Sequence, residues 1–137
     1  MKDLLTPELT LQEVNAVSSL GLAHVGDAVY SLLVRTMLLE AGNVRGDSLH
    51  QDSAKLVCAP AQARAAERLL PHLTEEEAGF FRRGRNADVR HIPKNASHAQ
   101  YSRATGLEAL FGALYLMGRR HRLMELFTII MEDEDAA

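Results

Sequence analysis

The sequence predicts an all-α fold, a bundle of about seven helices, and three observations carry that prediction. Leucine, alanine, glutamate and arginine dominate the 137 residues, tryptophan is absent and aromatics make up only 5%, a balance that favours helices over strands. Apolar residues recur three and four apart, while no alternating strand pattern, heptad series or internal repeat is visible. Capping and stop residues punctuate that periodicity. With 47% apolar residues the chain should form one domain over residues 1–137, large enough to bury a core without staples.

In order, residues 1–8 read as a lead-in, and a first short helix is expected over Thr10–Ser19, with Leu11, Val14, Val17 and Leu20 facing inward. The second, about Leu22 to Ala41, ends at the stop signal Gly42-Asn43. Asp47 or Ser48 can cap a third helix through Val57, and Pro60 suits the first turn of a fourth that Pro71 ends. Thr74 and Glu77 have the form of a capping box, so a fifth helix should start there and reach about Arg83. An irregular basic loop, Gly84 to Asn95, leads to a sixth helix capped by Ser97 and running to about Met117. A seventh spans Arg120 to Met131, before an acidic tail over residues 132–137 that is expected to fray.

Two acids stand out. Asp27 lies in LAHVGDAVYSLLVR, where Leu22, Val25, Val29, Leu32 and Leu33 mark an apolar face, and a carboxylate among such neighbours is costly unless compensated. Glu108 lies beside the apolar stripe of the sixth helix. Gly26, Gly106 and Gly112 each weaken a helix interior by about 1 kcal/mol against alanine, so close backbone contact should explain them. Helices crossing at such glycines could bring Asp27 and Glu108 to one Mg²⁺, which needs few protein oxygens. The same residues also fit a structural account, in which Asp27 pairs with a buried Arg35 or Arg103 and Glu108 is a boundary residue.

The net charge of −3 argues against a nucleic-acid partner until its distribution is considered. Residues 82–94, RRGRNADVRHIPK, hold Arg82, Arg83, Arg85, Arg90 and Lys94 against the lone acid Asp88. Arg82, Arg83 and Arg85 offer guanidinium forks to phosphates, and Asn86, Lys94 and Asn95 add donors. A solvated helix end with cations suiting the dipole is the alternative. The histidines match no zinc spacing. Cys58, the single cysteine, excludes an internal disulfide and reads as a small core residue. Tyr30, Tyr101 and Tyr115 read as core aromatics, with Tyr101 near enough to the basic loop to touch RNA. A reducing cytoplasm is the expected compartment, and no unbroken apolar run of about eighteen residues points to a membrane.

Taken together, LAHVGDAVYSLLVR resembles the signature of the ribonuclease III endonuclease domain, and ATGLEALFGALYL, Ala104 to Leu116, resembles that family's second acidic helix. RRGRNA followed by IPKN, with no double-stranded-RNA-binding domain after it, is similar to the short branch called Mini-ribonuclease III. The resemblance covers about Leu9 to Phe127. It implies an all-helical homodimer and Mg²⁺-dependent cleavage of double-stranded RNA, with Mn²⁺ as a substitute ion. The implied substrate is the precursor of large-subunit (23S) ribosomal RNA, with a ribosomal helper protein as a further partner. By that resemblance Asp27 is the catalytic aspartate and Glu108 the last metal-binding acid, while Arg82, Arg83, Arg85, Asn86, Lys94 and Asn95 form the RNA-binding motif.

Two positions depart from the full-length family: Ala23 replaces a glutamate one turn before Asp27, and Thr105 replaces an aspartate three residues before Glu108. Each replacement removes a ligand. The expectation is an endoribonuclease leaving 5′-phosphate and 3′-hydroxyl ends; the alternative is a catalytically silent RNA-binding or ribosome-assembly module on the same scaffold.

Overall fold

A computed structural model describes residues 1–87 and 96–136, with side chains as far as Glu132. Its helices are α1 (Leu11–Asn15), α2 (Ser19–Glu40), α3 (Gly46–Val57), α4 (Ala59–Leu69), α5 (Glu75–Arg85), α6 (His98–Leu116) and α7 (Arg120–Ala136), with a 3-10 turn, Leu70–His72, after α4. No strand occurs among the described residues.

Helix α6 is the axis of the bundle and packs against α2, α4, α5 and α7. From Ala104 to Leu114 every residue but Glu108 is buried, which explains a helix that is apolar almost all round. Tyr30 of α2 meets Phe111 of α6 and Phe127 of α7 edge-on, with ring centroids 5.2 and 5.8 Å apart. The lead-in is tied to the far end of α6: the Leu9 amide donates to the Leu116 carbonyl at 2.8 Å, and the Tyr115 hydroxyl donates to the Leu4 carbonyl.

Local sequence sets the helix starts. Thr10, Thr74 and Ser97 each form a capping box, with Glu13, Glu77 and Gln100 respectively. Glu77 is only 3% exposed and also accepts from both Arg122 nitrogens facing it, at 2.8 and 2.9 Å, which together hold its carboxyl below the usual range. Replacing Thr74 with alanine should lower stability by about 1 kcal/mol, read as an earlier urea midpoint at unchanged slope.

Several expectations need correction. The first helix stops at Asn15, because Ser18 caps α2 by accepting from the Gly21 amide at 3.0 Å, so α2 starts three residues before Leu22. Neither Asp47 nor Ser48 caps α3; the cap position is Arg45, and the Ser48 hydroxyl donates to the Asn43 side chain at 3.0 Å. Cys58 is exposed rather than buried, since it forms the extended link between α3 and α4. The acidic stretch after Met131 continues α7 as far as Ala136. Gly84 does not open a loop: it lies inside α5, buried against α6, where a β-carbon would fall 2.7 Å from the Thr105 carbonyl oxygen.

Helix α2 is 22 residues long with a mean hydropathy of 1.3, enough by length and composition to cross a membrane. Here it is the bundle's second core helix, buried through Leu22, Ala23, Gly26, Val29, Tyr30 and Val34 against α6 and its neighbours.

Candidate active site

Glycines decide how closely α2 and α6 approach. A β-carbon on Gly26 would lie 1.6 Å from the Glu108 carbonyl oxygen, and one on Gly112 would lie 2.0 Å from that of Leu22. Backbone therefore meets backbone, and Asp27 and Glu108 leave the crossing side by side. Gly106 serves a different contact: its β-carbon would meet the Phe81 carbonyl oxygen at 2.8 Å, so it seats α5 rather than α2.

The environment of Asp27 departs from the sequence expectation. Asp27 is exposed, one position past the inward-facing Gly26, whereas Glu108 is half-buried within the bundle's most enclosed helix. Burial pushes the Glu108 carboxyl up to about 8, and the charge of Asp27 and a hydrogen bond to it add to the rise. The Gln62 amide opposes the shift. Glu108 thus keeps its proton near neutral pH, with its carboxyl beside that of Asp27.

No Lys, Arg or His among the described residues pairs with either acid. Arg103 instead pairs with Glu67 at 3.2 Å, and Arg35 borders a hollow lined by Gly46, Leu49, His50 and Ser53. Gln62 of α4 is 2% exposed, and its side-chain amide faces Glu108. Sequence reasoning missed it, for its burial comes from α4 packing on α6; the one local signal is a glutamine set between Ala61 and Ala63, both buried.

The departures at Ala23 and Thr105 are equally plain. Ala23 is buried, and the Thr105 hydroxyl donates to the Tyr101 carbonyl of its own helix at 2.9 Å, which ties it away from the acids. No group of three or more His, Cys, Asp or Glu suited to an ion occurs among the described residues. A hard divalent cation such as Mg²⁺ still fits the donor set of Asp27 and Glu108. Two carboxyls side by side, one of them held protonated by burial and by the charge of the other, form a place where a cation replaces that proton favourably.

The proton has a measurable consequence without metal. Glu108 keeps it in the folded chain up to about pH 8, whereas the unfolded chain releases it near the model-compound value of 4.5. The folded state therefore binds more protons between those limits, and stability falls as pH rises through that window, by roughly 2–4 kcal/mol. Urea melts in EDTA between pH 5 and 8 should show this for wild type and not for Glu108→Gln; superposable profiles would place the proton elsewhere.

Arg82, Arg83 and Arg85 sit on the last turn of α5, so the helix extends through Arg85 rather than giving way to a loop at Gly84. Arg82, Arg85 and Asn86 are exposed. Arg83 is half-buried, and its guanidinium donates to the Val17 carbonyl at 2.6 Å, locking α5 to the α1–α2 junction. Arg82, Arg83 and Asn86 border a groove of about 610 Å³ shared with Leu11, Asn15 and Phe80. Through Gly84 this turn lies on Thr105, Gly106 and Ala109, the residues flanking Glu108. Lys94 and Asn95 lie outside the described residues. Tyr101 is half-buried.

Comparison with known proteins identifies the family. The Ribonuclease III domain family matches residues 20–119. The Mini-ribonuclease 3 of Symbiobacterium thermophilum is 49% identical over 107 residues, 78% of this chain and 82% of that protein. That of a Thermoanaerobacter species is 41% identical over 127 residues, covering 93% and 89%. A crystal structure of a Fusobacterium nucleatum protein superposes with a TM-score of 0.81 at 27% identity, covering 89% of this chain and 98% of the other. With its two acids at a glycine-lined helix crossing, this chain belongs to the ribonuclease III domain family, in the Mini-ribonuclease 3 branch, and is an endoribonuclease.

Proposed function

We propose that the chain, as one catalytic domain over residues 1–137, is a divalent-cation-dependent endoribonuclease that cuts double-stranded RNA as a homodimer in the cytoplasm. The observation that carries this reading is the close α2–α6 crossing at Gly26 and Gly112, which sets the Asp27 and Glu108 carboxyls side by side. Asp27 and Glu108 would hold Mg²⁺, or Mn²⁺ in its place. When bound, that cation supplies charge stabilisation at the scissile phosphate and makes the attacking water more acidic, giving 5′-phosphate and 3′-hydroxyl ends. Asp27, at the solvent edge, is the acid an incoming phosphate meets first. Glu108 gives up its proton as the site is loaded, so affinity for the cation should rise with pH up to about 8.

Arg82, Arg85 and Asn86 would grip the duplex backbone, with Lys94 and Asn95 extending the surface and Arg83 dividing its guanidinium between RNA and Val17. Uncovered apolar surface supports the homodimer. Leu5 and Leu32 are 78% and 61% exposed beside a hollow of about 430 Å³ lined by Val25, Ala28, Val29 and Tyr115. Two protomers would present one site to each strand. The 23S ribosomal RNA precursor is the substrate we favour, with a ribosomal protein supplying selectivity.

Long duplex RNA incubated with the chain in Mg²⁺ and in EDTA tests the reading, and cutting only with Mg²⁺ supports it. Duplex bound but uncut selects the silent RNA-binding or ribosome-assembly module, for which Ala23 and the tied Thr105 are the argument. In EDTA, where binding is read without cleavage, Arg82→Ala with Arg85→Ala should make the plot of log affinity against log salt shallower by roughly 1–2. An unchanged slope removes those arginines from the interface.

A further inference from the structure

The second half of α2 and helix α7 enclose a groove of about 420 Å³ that shares no residue with the acidic crossing or with the basic turn of α5. Three of the chain's five methionines gather there: Met37, Met124 and Met131, beside Leu33 and the buried Phe127. Met124 is 45% exposed, and Leu33, Met37 and Met131 are half-buried, so the floor is apolar and open to solvent. Methionine is the adaptable residue of surfaces that accept varied apolar partners. The rim carries charge of one sign. Glu40 and Glu132 line the groove, both exposed, and among the described residues no Lys, Arg or His lines it. Each acid lies toward the C-terminal end of its helix, where the dipole favours cations, yet neither helix has a basic residue in its last turn. Asp133, Glu134 and Asp135 follow Glu132 in the sequence and add to the same sign.

We propose that the α2–α7 groove docks a basic amphipathic helix of a partner protein, its apolar side chains seated on the methionines and its lysines or arginines meeting Glu40 and Glu132. Charge selects this occupant over the others. RNA phosphates and an anionic lipid surface carry the same sign as the rim. A second copy meeting this face with its own would set Glu40 and Glu132 against their counterparts. The volume, at the low end of ligand clefts, suits the anchor side chains of about one helical turn. The groove is also distinct from the hollow beside Leu5 and Leu32 assigned to the homodimer, which no acid lines among the described residues. Docking here leaves the acids and the arginines of α5 free, so it stands whether or not the two-acid reading does.

The probe is a synthetic peptide of about 15 residues, long enough to hold a helix, with leucines at helical spacing and lysines on the opposite face. It is added to the full chain carrying ¹³C at its methionine methyls. Saturable shifts at Met37, Met124 and Met131, with Met1 and Met117 unmoved, are the expected result. Met124→Glu should weaken binding about 10-fold or more. Glu40→Lys combined with Glu132→Lys should weaken it comparably and flatten its salt dependence. All three positions are exposed, so the variants should melt within a few degrees of wild type; where one fails to fold, the wild-type methyl shifts decide alone. No shift at the three methionines overturns the proposal. So does a peptide of equal charge with serine in place of leucine that moves the same methyls equally, since bulk charge would then explain the binding. Duplex RNA in EDTA moving those methyls gives the groove to RNA, and a dimer that Met124→Glu splits into monomers gives it to a second copy; either result also overturns the proposal.

Discussion

Asp27→Asn should lower Mg²⁺-dependent cutting of duplex RNA by ~100-fold or more while leaving the chain folded and still able to retain RNA. The side chain is exposed, so an isosteric amide disturbs little packing and the melting temperature in EDTA should stay within a few degrees. What is lost is a negative oxygen at the place where a cation and a phosphate would meet. The change also reaches Glu108, since the charge of Asp27 is one cause of its raised pKa. In Asp27→Asn the Glu108 carboxyl should titrate lower than in wild type, although burial keeps it above the ordinary glutamate range. Single-turnover cleavage and a pH series of urea melts on one preparation read both effects. Cutting within about threefold of wild type would remove Asp27 from the active site.

The fold was legible where local chemistry decides it. Thr10, Thr74 and Ser97 each carry their capping partner three residues on, and the structure uses all three. The glycines of α2 and α6 announced close backbone contact, but not which helix each would touch: Gly26 and Gly112 face one another, while Gly106 faces Phe81. Spacing along one helix cannot name the partner across it. The same limit explains the misread environment of Asp27. Asp27 has apolar residues on both sides in sequence, yet part of that apolar surface, Leu32 above all, is uncovered in the isolated chain and Asp27 shares the exposure. Glu108 is enclosed because α2, α4 and α5 all lean on α6, a tertiary fact. Gly84 was misplaced for a related reason, since a glycine among arginines resembles a turn until α6 is known to need the space. Gln62 was invisible because its burial comes only from α4 docking on α6.

Gly26→Ala should be the most damaging single methyl group that can be added to this chain. Its β-carbon would sit 1.6 Å from the Glu108 carbonyl oxygen, 2.5 Å from the Glu108 carbonyl carbon and 2.8 Å from the Gly112 nitrogen. All three are backbone atoms, so no rotamer change relieves the overlap; α2 and α6 must separate. These helices form the centre of the core, and prising them apart should remove about 4 kcal/mol or more, comparable with the whole stability of many domains of this size. Gly112→Ala should behave alike, with 2.0 Å to the Leu22 carbonyl oxygen. Gly46→Ala is the control: nothing lies within 4 Å of its β-carbon, its φ is not positive, and stability should stay level or rise slightly. Urea denaturation of the three variants gives the comparison, and a Gly26→Ala protein within 1 kcal/mol of wild type would show that the helices do not cross as closely as described. The contact that would be lost is also the one that sets Glu108 beside Asp27. Any Gly26→Ala protein that folds in the cold should therefore show a weaker pH dependence and lose its response to Mg²⁺, because a helix displaced to admit a methyl group carries the Glu108 carboxyl away from Asp27.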